Sequence, residues 1–340
     1  MRILLTRTDR IGDVVLSTPV IKAMRDSYPD AHIAFMVRPY AEALIDGNPY
    51  LDEVIIYDKY GKDKSFLNTI KFAFGLKKKK FDLAIMLHPT NRVHIMAFLA
   101  GIPKRIGYDR KFSFLLTKKV PHTKQEGRKH ESEYTFDLLK EINIKGKPEE
   151  LFVPLHKKDL DRVDELFQKN NLNSTDTIIT VNPGASCISK KWPADNFANL
   201  SDELISRLNA KIIIVTDKSN IENAAQMEAK MQNKPINLAG KTTVGELAVI
   251  ISKSSLFISN DSGPVHIAAA VGTPVISIFG RKDPGLSPKR WGPLSKKAVV
   301  FHKDVGCKVC LAHNCQIGFK CLEAIAPDEV LPIAMSFLTK

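Results

Sequence analysis

Short apolar runs alternate with amphipathic stretches along the 340-residue chain, and this alternation predicts the fold class. Continuous apolar runs indicate strands buried on both faces, as in parallel sheets covered by helices. In the first half we predict strands at RILLT (2–6), HIAFMV (32–37), VIIY (54–57), LAIMLH (83–88) and KRIGY (104–108). The stretches 14–27 and 65–76 between them have the spacing of amphipathic helices.

The second half repeats this arrangement. Its predicted strands are TIITVNP (177–183), KIIIVT (211–216), INLAG (236–240), LFISN (256–260) and VISIFG (275–280), and its predicted helices cover 194–208, 220–232, 243–253 and 264–271. The segment 145–157 is rich in Lys, Pro and Glu, which is typical of a domain boundary. We therefore predict an α/β protein of two tandem doubly wound, Rossmann-like domains, residues 1–152 and 153–325, facing across a cleft. We expect a terminal helix, 326–340, to pack back on the first domain.

In open parallel sheets, ligands bind beyond the carboxyl ends of the strands, so the loops there carry the candidate chemistry. In FISNDSGPVHIAAAVGTPVISIFG (257–280), a strand ends, a tight turn follows, and Pro264 suits the start of a helix. A helix N-terminus there would favour a diphosphate, to which His266 adds a donor. Ser262 either contacts the phosphate or caps the helix. Asp261 is a poor phosphate ligand, so we expect it to hold the turn or meet a sugar hydroxyl.

The loop VNPGASCISKKWP (181–193) follows the first strand of the second domain. Gly184 is small enough for backbone to approach a ligand, and Ser186 offers a hydroxyl. Lys190 would neutralise a diphosphate leaving group. The alternative interpretation of Lys190 and Lys191 is a solvated surface pair.

Three acidic residues are also candidates. Asp217 and Glu222 follow the second strand of the second domain, where an acid commonly binds ribose hydroxyls. A helix cap is the alternative for Asp217, and a solvated helical acid is the alternative for Glu222. Asp13 follows the first strand of the chain, in RTDRIGDVVLSTP (7–19). It either caps the next helix or acts as a general base on an acceptor hydroxyl.

Charge is concentrated in one segment. The formal net charge is +13, and residues 59–129 hold 18 Lys or Arg against 4 Asp or Glu. Such a segment favours an anionic partner, namely nucleic acid, an anionic membrane surface or a phosphorylated substrate. For KKKK (77–80) alone, a solvated surface is the alternative. No apolar run approaches the ~20 residues that span a bilayer, and MRILLTRTD is too short for a secretory signal, so we expect a cytoplasmic protein.

Four cysteines have the spacing C-x2-C-x4-C-x5-C, and they are Cys307, Cys310, Cys315 and Cys321. In a cytoplasmic chain this spacing favours a structural metal over disulfides, with His313 as an alternate ligand. The pattern lacks the long insert of a zinc ribbon, so buried free thiols are the other interpretation. The lone Cys187 is assigned to packing.

Taken together, DRIGDVVLSTP (9–19), PGASCISKKWPADNF (183–197) and NDSGPVHIAAAVGTPVISIFG (260–280) resemble glycosyltransferase family 9, the heptosyltransferases of lipopolysaccharide core assembly. The resemblance covers nearly the full length. It implies the two-domain glycosyltransferase-B fold and an inverting enzyme that moves heptose from ADP-heptose to the inner core without a required metal. It also implies that Asp13 is the base and Lys190 a phosphate contact. The remaining implied donor-site residues are Glu222, Asp261, Ser262, Gly263 and His266.

The implied acceptor is a Kdo-lipid A type glycan at the inner face of the cytoplasmic membrane, which suits the basic segment 59–129. Arg92, Arg105 and Arg110 are the candidate acceptor contacts, and ordinary surface arginines are the alternative. We expect a nucleotide sugar and an anionic lipid-linked glycan as partners, peripheral contact with the membrane, and a monomer.

Three other functions are weighed. A glycosyltransferase of the same fold could use another nucleotide sugar. A basic nucleic-acid-binding protein with a cysteine-rich metal knuckle is disfavoured, because no aromatic stacking pattern accompanies the basic residues. A nicotinamide dehydrogenase is disfavoured, because no G-x-G-x-x-G follows either first strand.

Overall fold

The computed structural model describes residues 1–339, which form two α/β units divided between Pro154 and Leu155. In the first unit the strands are β1 (Arg2–Thr6), β2 (His32–Val37), β3 (Glu53–Ile56), β4 (Leu83–Met86), β5 (Lys104–Tyr108) and β6 (Lys118–Val120). Its helices are α1 (Ile11–Val15), α2 (Thr18–Ser27), α3 (Phe66–Lys78), α4 (Asn91–Leu99) and α5 (Glu131–Asp137). The strands pair in parallel in the order β3-β2-β1-β4-β5-β6.

The second unit has the same topology. Its strands are β7 (Ile178–Asn182), β8 (Lys211–Ile214), β9 (Ile236–Asn237), β10 (Leu256–Asn260), β11 (Val275–Phe279) and β12 (Ala298–His302). Its helices are α6 (Lys157–Lys169), α7 (Ala194–Leu208), α8 (Ile221–Lys230), α9 (Val244–Ser252), α10 (Pro264–Ala270), α11 (Pro288–Trp291), α12 (Lys320–Glu323) and α13 (Pro327–Leu338). The parallel order is β12-β11-β10-β7-β8-β9.

Both sheets reverse their strand order at one point, between β1 and β4 in the first unit and between β7 and β10 in the second. In doubly wound sheets, this reversal opens a crevice at the carboxyl ends of the two strands, where ligands bind. The predicted fold class is confirmed, with one parallel sheet in each unit. The loops after these four strands are therefore the places to look for function.

The apolar runs form buried strands, as predicted. Ile3, Leu4 and Leu5 of β1 are at most 1% exposed, and all of β7 is buried. Short 3-10 helices connect the larger elements, at Pro39–Leu44, Ser113–Leu115, Lys124–Glu126, Leu138–Ile142, Ile188–Lys190, Lys218–Asn220, Pro284–Leu286 and Ala312–Asn314. Among the described residues, none of the helices combines the length and apolarity that a membrane crossing requires.

Two helical features differ from the sequence prediction. The helix predicted over 14–27 is the pair α1 and α2, because Pro19 in the first turn of α2 lacks the N–H that a continuous helix needs. The terminal helix α13 packs on α7, and its residues Val330, Leu331 and Ala334 belong to the apolar core of the second unit. From the sequence, this helix was expected to pack on the first domain instead.

Candidate functional site

A network of buried charges lies beyond the carboxyl end of β1. The Arg7 side chain is 1% exposed. Its Nε donates to Asp9 Oδ1 at 2.8 Å, and its Nη2 donates to Asp13 Oδ1 at 2.5 Å and to Glu131 Oε1 at 3.1 Å. Glu131 Oε1 also accepts a hydrogen bond from Lys124 Nζ at 2.6 Å. One guanidinium therefore connects three carboxylates at the strand-order reversal.

Asp13 lies inside α1 and does not cap a helix, so the cap interpretation is wrong. The N-cap of α1 is Arg10, and no side chain caps this helix. The pKa of Asp13 is raised to about 6, because burial and then the Asp9 carboxylate raise it and Arg7 only partly opposes them. Among the described residues, Oδ2 of Asp13 has no hydrogen-bond partner. At neutral pH this carboxylate is ionised and has an oxygen available to accept a proton.

His88 approaches the same network from the end of β4, across the strand-order reversal. Its Nδ1 lies 3.3 Å from Asp9 Oδ2. Burial lowers the pKa of His88 to about 3, and the charge of Arg7 lowers it as well. The imidazole is therefore neutral at pH 7. None of Arg7, His88 and Glu131 was predicted from the sequence as a site residue.

The three candidate acceptor arginines have different environments. Arg92 donates to three backbone carbonyls within residues 59–64, at 2.6–3.4 Å. Arg105 lies near the amino end of β5, away from the carboxyl edge, and donates to two backbone carbonyls. Arg110 follows the carboxyl end of β5 and is exposed. Only Arg110 of the three combines a place at the carboxyl edge with an uncommitted guanidinium, as far as the described residues extend.

In the second unit, a buried triad joins the loops after β7, β10 and β11. Lys190 Nζ lies 3.0 Å from Asp261 Oδ2, and Arg281 Nη2 lies 2.7 Å from the same oxygen. The three side chains are at most 12% exposed. Burial lowers the pKa of Lys190, and the carboxylate of Asp261 opposes that effect. Two cations around one carboxylate carry a net positive charge, which favours an anionic ligand.

A cluster of hydroxyls lies beside this triad. Asn182 Nδ2 donates to Ser259 Oγ at 3.2 Å and to Ser262 Oγ at 3.1 Å, and the two hydroxyls are 2.8 Å apart. Ser262 does not cap α10, because the N-cap is Gly263 and no side chain bonds there. His266, in the first turn of α10, is 3% exposed. The motif around residue 260 is therefore tied to the end of β7.

The loop after β7 packs tightly on the loop after β8. A Cβ atom on Gly184 would lie 2.0 Å from Thr216 Oγ1, so a larger residue here would force the Thr216 side chain to move. The backbone N–H of Ala185 donates to Asn220 Oδ1 at 3.3 Å. Ser186, the next residue, is exposed.

The two candidate ribose-binding acids have different environments. Asp217 accepts the backbone N–H of Ser219 at 2.7 Å and caps the 3-10 helix Lys218–Asn220, so the cap interpretation holds. Glu222 is exposed in the first turn of α8, and its side chain has no hydrogen bond within residues 1–339.

The cysteine-rich segment lines a cavity of about 180 Å³ with Cys307, Cys310, Cys315 and Cys321, all free thiols. Within the described residues, no group of three or more His, Cys, Asp or Glu is arranged to hold a metal ion. Cys321 Sγ donates to the carbonyl of Gly280 at 2.8 Å, and His313 Nδ1 lies 3.4 Å from Ser189 Oγ. The segment thus supports the loops that carry Lys190 and Arg281. Cys187 is half-buried beside Ser189.

Comparison with known proteins gives a consistent assignment. The model for glycosyltransferase family 9 (heptosyltransferase) matches residues 69–320. Lipopolysaccharide heptosyltransferase 2 of Escherichia coli K12 is 25% identical over 340 residues, covering 97% of this chain and 97% of that protein. The crystal structure of the glycosyl transferase family 9 from Veillonella parvula DSM 2008 aligns at a TM-score of 0.89 and 26% identity, covering 99% and 97% of the chains.

A third similar protein shares the fold at lower identity. The structure of E. coli heptosyltransferase WaaC with ADP-2-deoxy-2-fluoro heptose aligns at a TM-score of 0.69 and 18% identity, covering 99% of each chain. The two parallel six-stranded sheets are those of the glycosyltransferase-B fold. Because the family match spans most of the chain, it favours a glycosyltransferase over the nucleic-acid-binding protein and the nicotinamide dehydrogenase weighed from the sequence. The chain belongs to glycosyltransferase family 9, the heptosyltransferases, and is a glycosyltransferase.

Proposed function

We propose that this protein transfers heptose from ADP-heptose to the Kdo/heptose inner core of lipopolysaccharide, with inversion at the anomeric carbon and Asp13 as the general base. The single observation that carries the proposal is the Asp13 carboxylate. It is buried, has a pKa raised to about 6 by that burial, and lies at the strand-order reversal of the first unit. A general base works best when its pKa lies near the working pH.

The proposed reaction is a single displacement. Oδ2 of Asp13 accepts the proton of an acceptor hydroxyl as that oxygen forms a bond to the anomeric carbon. The bond between that carbon and the diphosphate oxygen breaks, and ADP leaves with the electron pair. Attack from the face opposite the leaving group inverts the configuration. In this scheme Arg7 holds Oδ1 and keeps Oδ2 available.

On the donor side, we propose that Lys190 and Arg281 stabilise the negative charge that develops on the ADP diphosphate. Their net positive charge with Asp261 supports this role. Asp261 itself orients the two cations, because a carboxylate repels a phosphate. We propose that Ser262, Gly263 and His266 contact the donor at the same edge of the sheet. We also propose that Ser186 and Glu222, which are both exposed, contact the bound donor.

The nucleotide is proposed as ADP because the family is that of the heptosyltransferases and a protein of the same fold holds an ADP-heptose analogue. We propose that transfer needs no cofactor, since Lys190 and Arg281 supply the cationic charge. A glycosyltransferase that uses another nucleotide sugar would share the triad. The experiment must therefore identify the nucleobase and the sugar of the donor.

On the acceptor side, we propose that Arg110 and Arg38 contact anionic groups of the glycan. The Arg38 guanidinium lies 4.4 Å from the ring centre of Tyr40 and 4.3 Å from that of Tyr60. Stacking of this kind fixes a guanidinium while its edge can still form hydrogen bonds. We further propose a cytoplasmic monomer whose basic segment, 59–129, makes peripheral contact with the inner membrane.

The test is calorimetric binding of ADP, UDP and GDP, followed by turnover of ADP-heptose with a Kdo–lipid A acceptor. We expect ADP to bind most tightly and heptose to be transferred. Lys190→Ala should weaken both ADP affinity and turnover, with Lys191→Ala as the matched control. Tighter binding of UDP or GDP would favour the alternative donor, and an unchanged Lys190→Ala would remove its phosphate role.

A further inference from the structure

Two buried charges of the first unit are connected to Asp13 without touching it. Lys124 and Glu131 are 2% and 1% exposed, and such residues are rarely buried unless they are paired. Lys124 Nζ lies 2.6 Å from Glu131 Oε1, and the same oxygen lies 3.1 Å from Arg7 Nη2. That nitrogen lies 2.5 Å from Asp13 Oδ1. Four charges of alternating sign therefore form one chain that ends at the proposed base.

This charge chain, Lys124–Glu131–Arg7–Asp13, is poorly explained by stability alone. A buried ion pair is often no more stabilising than apolar residues of the same volume, because both charges lose their hydration. The charge chain also joins segments that are distant in sequence, since Arg7 and Glu131 are 124 residues apart. Its conspicuous property is that Asp13 and Glu131 share a single nitrogen of Arg7.

We propose that Lys124 and Glu131 are positioning residues that set how much of the Arg7 charge is available to Asp13, and so set the ionisation of the base. This inference rests on the proposed function of Asp13. Glu131 competes with Asp13 for Arg7, and Lys124 limits that competition by neutralising Glu131.

Other charged and titratable groups also face Asp13. Asp9, from the loop after β1, raises the pKa of Asp13, and His88, from the end of β4, acts in the opposite direction. Tyr40 approaches from the 3-10 helix after β2, and its hydroxyl donates to the carbonyl of Asp9. Asp9, His88 and Tyr40 are all present in the variants below, so the comparison with wild type isolates the loss of Lys124 or Glu131.

Substitutions at Glu131 and at Lys124 should shift the pKa of Asp13 in opposite directions. Glu131→Gln removes the carboxylate that competes with Asp13 for Arg7, and the Lys124 cation stays nearby. The pKa of Asp13 should therefore fall. Lys124→Met removes one of the cations that contact Glu131, so Glu131 draws more on Arg7 and the pKa of Asp13 should rise. A neighbouring charge commonly shifts a carboxyl pKa by about 1 unit or more.

The experiment is the pH dependence of kcat/KM, whose acid limb reports the essential base of the free enzyme. We expect the acid limb to move down by about 1 pH unit in Glu131→Gln and up by about 1 unit in Lys124→Met. The neutral pair Glu131→Gln with Lys124→Met should return it toward the wild-type position. Lys129→Met is the matched control. Lys129 Nζ lies 2.5 Å from Asp137 Oδ2, and Asp137 is at the opposite end of α5 from Glu131.

A direct titration of the Asp13 carboxyl carbon by NMR is the second measurement, since it needs no turnover. Shifts of the same sign in both variants, or losses of activity with a fixed acid limb and a fixed NMR pKa, would overturn the inference. If the NMR pKa moves in opposite directions while the acid limb stays fixed, the charge chain acts as proposed. In that case the base assignment fails instead.

Discussion

Asp261→Asn tests the buried triad of the second unit most sharply. The substitution keeps the shape of the side chain and removes the carboxylate that contacts Lys190 at 3.0 Å and Arg281 at 2.7 Å. Two cations that are at most 12% exposed then lose their common partner. Breaking a buried ion pair from one side costs about 3–5 kcal/mol, because the remaining charge is desolvated and uncompensated. We expect the free energy of unfolding of the second unit to fall by about that amount.

Tryptophan fluorescence in urea is the appropriate assay. The chain has two tryptophans, Trp192 and Trp291, and both belong to the second unit. With a urea m-value of about 1–3 kcal/mol/M, the loss should lower the midpoint by at least about 1 M. Asp304→Asn is the matched control. Asp304 pairs with Lys282 at 2.8 Å but is 62% exposed, so its loss should cost less than about 1 kcal/mol.

The pH dependence supplies a second check. Burial already lowers the pKa of Lys190 below its usual 10.5, and loss of Asp261 removes a group that opposes this. Between the lowered folded pKa and 10.5, the unfolded chain binds more protons than the folded one, so stability rises with pH. The deficit of Asp261→Asn should therefore shrink as pH rises toward 10.5. A midpoint equal to that of Asp304→Asn at pH 7 would refute the reasoning.

Other positions give independent predictions. Gly184→Ala should weaken ADP binding at least about fivefold by calorimetry, because its Cβ would lie 2.0 Å from Thr216 Oγ1 and overpacking costs about 1–3 kcal/mol. Adding Thr216→Ala should restore much of the affinity, and no restoration would contradict the steric explanation. Arg92→Ala should lower the melting temperature of the first unit with the acceptor KM nearly unchanged, because Arg92 holds the backbone of 59–64. Arg110→Ala should show the reverse, a raised KM at unchanged stability.

The strands were predictable because a strand that is buried on both faces is a continuous apolar run in the sequence. The two strands that were not predicted, β6 and β12, both lie at sheet edges. In β6 two of the three residues are exposed lysines, and all of β12 is only half-buried. The break between α1 and α2 was also missed, although Pro19 signals it.

The site was predictable only in part. Asp13, Lys190 and Asp261 lie in the segments that directly follow buried strands, and the position of such segments follows from the parallel topology. The same rule would have selected Arg7 and Arg281, each one or two residues beyond a strand end. The ion partners were not predictable, because no local pattern connects residues as distant as Arg7 and Glu131. Asp261 was expected to hold its turn or to meet a sugar hydroxyl, and its contacts with Lys190 and Arg281 were not predicted.

The central claim is that Asp13 activates the acceptor hydroxyl for transfer of heptose from ADP-heptose. The most direct measurement compares heptose transfer to a Kdo–lipid A acceptor by the wild-type protein and by Asp13→Asn, alongside calorimetric ADP affinity for both. General-base catalysis contributes about 10²–10⁴-fold, so we predict a loss of turnover in that range with ADP affinity unchanged. Near wild-type turnover by Asp13→Asn would contradict the account.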